Sequence, residues 1–363
     1  MAAKKLLLIQ NKGGHGEIGY ELCKTLLAEK DVEITMVQDD AAKMDKLPFS
    51  LYCELKAQGV KIVPSSLADR ILDAGSVGSQ SFDYVVDNWS KSEDDFNFIK
   101  GLLAEPAVLQ QYLFVSSAGM YAPSEGVQPH LETDAVKADN GPRTVELACE
   151  ASGLPYTFMR PQYIYGPAMQ KRYLDYFLGR AARKLPIPLP MSGEQLVCLT
   201  HSEDVADLIC LAIGHPAATN QAFNCGSDRF VGYKVLGDLA HQAHGSAPED
   251  ARYMYYEPKD FDTWDESDPS FPFHRETFVT SVDKAKKLLG WAGPKRAVAD
   301  DMDWLMRDYA TGEAAARQWT ASELKCDLEI LASKDHNFMF TYAFFDDDAV
   351  NPEKMPYDFQ SAV

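Results

Sequence analysis

Short apolar runs alternate with amphipathic stretches along the first two thirds of the chain. The runs predict buried β-strands at residues 6–9, 33–37, 61–63, 84–86, 112–115, 156–159 and 222–225. Helical spacing of apolar residues predicts helices over 17–27 and 204–213. Strands that alternate with helices form a parallel sheet covered on both faces. The pattern therefore predicts an α/β fold, with a doubly wound parallel-sheet Rossmann domain.

The composition changes after residue 165, where a segment rich in proline and basic residues begins. We predict a Rossmann NAD(P)-binding-type domain at 1–165, with a returning segment at about 195–225. Residues 166–194 and 226–312 are predicted to form a smaller α/β C-terminal lobe of the substrate-binding type. Residues 313–363 are a C-terminal extension that ends in an acidic tail.

The chain is strongly acidic, with 35 Lys and Arg against 54 Asp and Glu in 363 residues and a net charge of -19. This excludes a global cationic surface for nucleic acid or anionic lipid, so any phosphate site must be a local basic patch. The seven scattered cysteines show no C-x-x-C or zinc spacing, which predicts reduced thiols and no metal site. We expect no membrane span, because no apolar run approaches about 20 residues, and the N-terminus is not a signal peptide.

A glycine-rich loop follows the first predicted strand and opens the first predicted helix. Gly14, Gly16 and Gly19 match G-x-G-x-x-G, while Gly13, Gly16 and Gly19 match G-x-x-G-x-x-G. Glycine lets the backbone approach a pyrophosphate, which the free N–H groups and dipole of the helix N-terminus favour. Asp39 and Asp40 follow about 20 residues on, at the end of the second strand, where a carboxylate bonds a ribose 2′-hydroxyl and repels a 2′-phosphate. Asp39 is the predicted cofactor contact. These residues predict an NAD site; the alternative is a loop kept only for packing.

Three later segments resemble the extended short-chain dehydrogenase/reductases. They are S-S-x-x-x-Y at 116–121, R-P-x-x-x-Y-G-P at 160–167, and the segment at 199–206 that leads into the substrate lobe. Asp87, at the end of the fourth strand, and Ser116 complete the predicted cofactor contacts. No catalytic residue is assigned; the candidates are Ser117, Tyr121 and His15, the last of which is flanked by the loop glycines.

The chemistry of this superfamily uses a tyrosine and a lysine four residues further on, and this chain lacks them. The pair belongs between Tyr121 and Arg160, whereas Y-x-x-x-K occurs only at residues 20–24, 52–56 and 255–259. An alignment on Glu146 places Ala138 and Pro142 at the two positions, and neither side chain can transfer a proton. Standard dehydrogenase or epimerase chemistry is therefore not expected.

In finer detail the chain resembles the chloroplast stem-loop-binding proteins, which are atypical members of that superfamily. The matching segments are 11–15, 84–88, 116–121, 136–139, 160–163, 223–229 and 287–291. Gly16 departs from the alanine of that family, and the tail from about 313 does not match it. The resemblance implies binding of RNA stem-loops, endonucleolytic cleavage of RNA with Mg²⁺, and association with plastid ribosomes or transcription complexes. It also implies a plastid location as a mature form without a transit peptide, the alternative being the cytosol. The superfamily implies a homo-oligomer.

The best candidate for a local basic patch is the segment 169–184. It holds aromatic residues at 173, 176 and 177 among five basic ones, which are Lys171, Arg172, Arg180, Arg183 and Lys184. Basic side chains bind phosphates and exposed aromatic rings stack on unpaired bases, so we predict RNA contacts here. The alternative is that Tyr173, Leu174 and Phe177 form a core stripe at helical spacing. For cleavage, His15, His130 and His201 are the notable histidines, but no nuclease site emerges from the sequence.

Two other functions are compatible with the sequence. One is a nicotinamide-dependent nucleotide-sugar epimerase, dehydratase or reductase with an unorthodox acid such as Tyr121. The other is a non-catalytic scaffold in a plastid ribosome or photosynthetic assembly, with the acidic tail as its docking surface.

Overall fold

The computed structural model describes residues 3–10, 16–67, 81–103, 108–123, 128–261 and 271–316, together with residues 69, 77, 319, 324, 327, 329, 330, 333, 345, 346, 349 and 350. The chain divides into two compact units. Unit 1 comprises Met1–Lys171, Cys198–Arg229 and Val279–Ala297, and unit 2 comprises Arg172–Val197, Phe230–Phe278 and Val298–Val363. The domain boundaries drawn from the sequence stay a prediction.

The strands are β1 (Lys4–Gln10), β2 (Val32–Asp39), β3 (Lys61–Ser65), β4 (Tyr84–Asp87), β5 (Gln111–Val115), β6 (Tyr156–Pro161), β7 (Ile164–Tyr165), β8 (Ile187–Pro190), β9 (Leu196–Val197), β10 (Thr200–His201), β11 (Gln221–Cys225), β12 (Val231–Gly232), β13 (Tyr253–Tyr256), β14 (Phe345–Asp346) and β15 (Ala349–Val350). The helices are α1 (Gly16–Glu29), α2 (Tyr52–Ala57), α3 (Glu93–Leu102), α4 (Gly141–Ala151), α5 (Asp175–Ala182), α6 (Ser202–Ala212), α7 (Tyr233–Ala243), α8 (Asp283–Leu289), α9 (Val298–Thr311) and α10 (Glu313–Ala316). All the strands and helices predicted from the hydrophobic pattern are confirmed.

A seven-stranded parallel sheet forms the centre of unit 1. Its order is β11-β6-β5-β4-β1-β2-β3, and every neighbouring pair is parallel. The chain winds outward from β1 in one direction and from β4 in the other. In such sheets, ligands bind at the carboxyl ends of the strands where the winding direction reverses. The predicted doubly wound Rossmann fold is confirmed, with its switch point between β1 and β4.

Strand β1 shows why the sheet is covered on both faces. Leu6 and Leu8 point into a core formed with α1 and α6, whereas Leu7 and Ile9 point into a second core with α3 and α4. Successive side chains on a strand alternate between the two faces of a sheet. A strand that is buried on both faces must therefore be apolar throughout, which is the pattern that the sequence carries here.

Unit 2 is a smaller α/β assembly in which α5, α7 and α9 pack together. Strand β8 pairs in parallel with β13, while β9 pairs with β12 and β14 with β15 in antiparallel fashion. Leu174 and Phe177 are buried, and Tyr173 stacks on Phe273. The helical stripe at these positions therefore belongs to the core of unit 2. Among the described residues, no helix is long and apolar enough to cross a membrane.

We predict that Leu8→Ala lowers the free energy of unfolding by about 2–5 kcal/mol, because it leaves a cavity in the centre of the sheet. Urea denaturation followed by circular dichroism measures the change. Leu288→Ala is the matched control, since Leu288 is 38% exposed, and its effect should stay within about 0.5 kcal/mol. Equal effects of the two variants would contradict the placement of β1 at the centre.

Candidate functional site

The first turn of α1 rests on a polar side chain at the end of β1. Gly13, Gly14 and His15 of the predicted loop lie outside the described residues, whereas Gly16 and Gly19 are part of α1. A Cβ atom on Gly19 would lie 2.3 Å from the Gln10 amide. The Gln10 Nε2 donates to the Gly16 carbonyl (2.7 Å) and its Oε1 accepts from Asn88 (2.9 Å). Gly19 is therefore needed for the close packing of α1 on β1 and β4, as expected for the last glycine of this motif.

Asp39 lies at the carboxyl end of β2 and is almost fully buried. Its Oδ1 accepts a hydrogen bond from the Ala41 backbone N–H at 2.9 Å. Its Oδ2 is buried and has no hydrogen-bond partner within the described part of the chain. A buried acceptor without a donor is energetically unfavourable. A ribose hydroxyl would supply that donor, so Asp39 fits the role that its spacing predicts.

The other two predicted cofactor contacts, Asp87 and Ser116, form hydrogen bonds with other groups of the protein. Asp87 is fully buried and accepts from the Trp89 and Ser90 backbone N–H groups, at 3.0 and 2.9 Å, and from the Tyr112 hydroxyl at 2.7 Å. Burial raises the pKa of Asp87, although these hydrogen bonds oppose the shift. Ser116 donates its hydroxyl to Glu146 at 2.8 Å. These two side chains fix local structure after β4 and β5.

The start of α4 replaces the tyrosine and lysine of the superfamily. Ala138 lies in a turn before the helix, and Pro142 is in the first turn of α4. Proline suits this place because the first N–H groups of a helix have no partner within it. At Gly141 a Cβ atom would lie 2.6 Å from the Lys91 carbonyl oxygen, so the helix begins in close contact with a neighbouring loop. The described geometry thus places no proton-transferring side chain at either position.

A buried ion pair between Glu146 of α4 and Arg160 of β6 lies beside this helix start. The Arg160 Nε donates to Oε1 at 2.9 Å and its Nη2 donates to Oε2 at 2.7 Å. Glu146 also accepts from Ser116 and, at 2.9 Å, from Arg143. Burial acts to lower the pKa of Arg160, but the hydrogen bonds to Glu146, its negative charge and the contact with Tyr121 together raise the pKa above its usual value. Four hydrogen-bond donors therefore offset the free-energy cost of burying the Glu146 carboxylate.

Tyr121 is held by the same network and is not poised to act as an acid. Its hydroxyl donates to Asn224 Oδ1 at 2.6 Å and accepts from Arg160 Nη1 at 3.1 Å. The ring stacks on His130, with centroids 4.9 Å apart. Burial raises the pKa of Tyr121 to about 12. Because both hydrogen-bonding directions of the hydroxyl are in use, Tyr121 is a structural residue in this conformation.

The remaining catalytic candidates have local structural roles. The Ser117 hydroxyl accepts from the Gly119 N–H and caps the short turn at Ala118–Met120. His201 is buried, and its Nδ1 accepts from the Glu203 N–H at the start of α6. Nowhere in the described residues do three or more His, Cys, Asp or Glu side chains come together as a potential metal site.

The five predicted RNA contacts differ in their surroundings. Arg180 is buried and its guanidinium forms two hydrogen bonds to Asp327, while Arg172 bonds Asp175 and Asp308 at 2.7 and 2.9 Å. Arg183 is half-buried and donates to the Tyr309 hydroxyl. Lys171, in unit 1, and Lys184, in unit 2, are exposed. Of the five, only these two lysines present free charged groups to solvent.

Sequence reasoning identified several residues of the network without their roles. Arg160 and Asn224 fall within the motifs that carry the family resemblance, and Glu146 served to align the helix. The signal missing from the sequence was which charged residue pairs with which. The hydroxyl of Tyr121 and its acceptor on Asn224 are 103 residues apart, so no local spacing could reveal the contact.

We predict that Glu146→Ala destabilises the protein by about 3–5 kcal/mol, because it leaves the Arg160 charge buried without a counter-ion. The double variant Glu146→Ala/Arg160→Met should lose less than the sum of the two single changes, since both charges are then gone. Chemical denaturation measures both. Glu150→Ala on the same helix is the control, because Glu150 is 37% exposed and lies 3.7 Å from Arg143. Additive losses would show that the pair is not coupled.

Two solved structures with the same fold are a dehydratase and an epimerase, each in complex with NAD. The dTDP-glucose 4,6-dehydratase from Bacillus anthracis, solved in complex with NAD, superposes with a TM-score of 0.66 at 14% identity and covers 86% of this chain and 98% of its own. The UDP-glucuronic acid 4-epimerase from Bacillus cereus, in complex with UDP-glucuronic acid and NAD, gives 0.60 at 14% identity, with 84% and 98% covered. At these identities the likeness establishes the fold alone.

A sequence relative and a family model give closer information. The chloroplast stem-loop binding protein of 41 kDa b from Arabidopsis thaliana is 34% identical over 220 residues, which are 60% of this chain. The chain matches 56% of the length of that relative. The model of the NAD dependent epimerase/dehydratase family matches residues 12–226, which is more than half of the chain and includes the whole network around Glu146 up to Asn224. The chain therefore belongs to the NAD dependent epimerase/dehydratase family.

Proposed function

We propose that this protein binds RNA stem-loops on an epimerase-type scaffold that has lost tyrosine–lysine proton transfer. The observation that carries the proposal is that Ala138 and Pro142 stand at the positions of that pair, next to the buried Glu146–Arg160 ion pair. The chain is also related to a protein named for stem-loop binding. A member of this family without its acid–base pair keeps a folded binding scaffold. Tyr121, the alternative acid, is buried and bonded on both sides. These facts weigh against the nucleotide-sugar epimerase, dehydratase or reductase alternative.

The proposed RNA contacts begin with Lys171 and Lys184. Both are exposed, and neither has an ion-pair partner within the described ranges. A lysine ammonium on a flexible stem acts as a point charge for phosphate, and each phosphate contact releases counterions. With a net charge of -19 on the whole chain, the affinity should be modest and should fall steeply with salt.

The plastid location that we propose follows the name of the relative, whereas the oligomeric state and the partner follow the family resemblance described above. The proposed setting is that of a plastid protein in its mature form, acting as a homo-oligomer with the ribosome or transcription complex as partner. The proposal covers RNA binding. For Mg²⁺-dependent cleavage the described residues offer no cluster of metal-binding side chains, so cleavage is a separate readout of the RNA experiment below.

A second candidate function is the retention of an NAD site, which the unpartnered Asp39 Oδ2 favours. Gly16, Gly19 and Asp39 are the described residues that would hold the dinucleotide, with Asp39 accepting from a ribose hydroxyl. When bound, NAD supplies a hydride acceptor. Because Tyr121 is not available for proton transfer, bound NAD would serve a structural or sensing role in this chain.

For the RNA proposal, we expect wild type to bind a labelled RNA stem-loop at low salt and Lys171→Gln/Lys184→Gln to bind more weakly. The loss of two phosphate contacts should reduce the slope of log K against log salt by about 1.5–2. Filter binding across a salt series measures this slope. The same RNA is incubated with and without Mg²⁺ to detect cleavage.

The matched control is Lys43→Gln/Lys287→Gln, which removes the same charge from two other exposed lysines. Its salt slope should equal that of wild type. Equal slopes for both double variants would remove Lys171 and Lys184 from the proposed surface, and no binding by wild type even at low salt would contradict the RNA function.

For the NAD proposal, we expect Asp39→Ala to weaken NAD(H) binding by at least tenfold, about 1.4 kcal/mol, because a hydrogen bond to a charged acceptor is lost. Discrimination against NADP(H) should also fall, since the carboxylate no longer repels a 2′-phosphate. Isothermal titration calorimetry measures both dinucleotides. Asp40→Ala is the control, because Asp40 is the exposed neighbour. Identical affinities for the two variants would show that Asp39 does not contact the ribose.

A further inference from the structure

Two residues that follow α10 in sequence, Trp319 and Asp327, contact α5. This is the helix that the sequence predicts to contact RNA. The Arg180 guanidinium of α5 donates from Nε and Nη2 to the two carboxylate oxygens of Asp327, at 3.0 and 2.8 Å. Both side chains are buried, with 3% and 1% of their surface exposed. This two-pronged arrangement is also the geometry by which arginine binds a phosphate group. Asp327 thus occupies the position that a phosphate would take on Arg180.

An aromatic ring from the same segment covers the two arginines of α5. The Trp319 indole lies 5.1 Å from the Arg180 guanidinium and 4.8 Å from that of Arg183. The Arg180 guanidinium also lies 3.7 Å from the ring centroid of Tyr176. Unpaired RNA bases are held by stacking on aromatic rings and on arginine planes in the same manner. Trp319 therefore occupies a position suited to an unpaired base.

A glycine in α5 makes this contact possible. A Cβ atom on Gly179 would lie 2.6 Å from Trp319 Cζ2 and 2.9 Å from the Tyr309 hydroxyl. Glycine weakens a helix interior, so its presence in the middle of α5 is unfavourable for the helix alone. It is explained by the approach of Trp319 to the helix backbone. The docking of Trp319 is thus a specific contact built into α5.

The C-terminal part of the chain, which contains Trp319 and Asp327, is rich in acidic residues. Residues 313–363 contain ten acidic and four basic residues. We propose that this segment is an intramolecular competitor of RNA, with Asp327 in place of a phosphate and Trp319 in place of a base. Its displacement exposes Arg180 and Arg183 beside the already exposed Lys184. The inference rests on the RNA-binding function proposed above and adds its regulation: RNA and the segment compete for α5, so each weakens the binding of the other.

Two variants of the full chain test the competition. Asp327→Asn removes the counter-charge of Arg180, and a buried unpaired charge disfavours the docked arrangement. Gly179→Ala changes no charge and expels Trp319 by steric overlap. Each should bind an RNA stem-loop severalfold more tightly than wild type, with a slope of log K against log salt steeper by about 1–2. Asp303→Asn, at an exposed position of α9, is the control for charge and should match wild type.

The outcomes separate this inference from the proposed function. The double variant Asp327→Asn/Arg180→Gln should lose the gain in RNA affinity that Asp327→Asn produces. If the gain in affinity persists, Arg180 is not the contact that is released. Wild-type binding without a gain in Asp327→Asn or Gly179→Ala overturns the competition and leaves RNA binding intact. No binding by any variant at low salt contradicts RNA binding itself. Thermal unfolding is measured for each protein, and if Asp327→Asn does not fold, Gly179→Ala decides the question.

Discussion

The ion pair between Glu146 and Arg160 is the interaction on which the interior of unit 1 depends. It joins α4 to β6 and, through the Tyr121 hydroxyl and Asn224, reaches β11 at the edge of the sheet. Two buried charges are tolerated only when their hydrogen-bonding groups are satisfied. Here Ser116 and Arg143 donate further hydrogen bonds to the Glu146 carboxylate. The Arg160 Nη1 donates to the backbone carbonyl of Glu132. The network fixes structure around a helix start that in related enzymes carries chemistry.

The two sides of the Rossmann unit have consequently diverged. The side built on β1 and β2 keeps the requirements of a dinucleotide site, with Gly19 packed on Gln10 and a carboxylate oxygen of Asp39 unpartnered among the described residues. The side built on β5, β6 and α4 has been converted into a closed polar network. Binding and proton transfer are separable in this fold because they rest on different strands. The structure is thus compatible with the proposed binding of a dinucleotide, while Ala138 and Pro142 offer no group for proton transfer.

The excess of acidic residues is also visible in the ion pairs that arginines form. In unit 2, Arg172 and Arg180 are bonded to Asp308 and Asp327 on segments that follow in sequence. Arginine pairs with carboxylates in the same geometry that it uses for phosphate, so an acidic chain can satisfy its own arginines. Arg180 can therefore contact RNA only when it is released from Asp327, whereas Lys171 and Lys184 are already exposed. Under the proposed function, the affinity for RNA would therefore depend on whether Asp327 stays paired with Arg180.

The sequence by itself determined the features that depend on local pattern. The seven strands, the helices α1 and α6 and the glycines of α1 follow from the spacing of residues that are close along the chain. The helix α4 and the missing tyrosine–lysine pair follow from the resemblance to the superfamily. The tertiary structure alone decided the fate of Arg180, predicted as an RNA contact but paired with a carboxylate 147 residues away. It also decided that Leu174 and Phe177 belong to the core, and that Tyr121 is bonded on both sides. The physical reason is that the pairing of charged and polar groups depends on which segments meet in space, and a residue's type and spacing do not specify its distant partner.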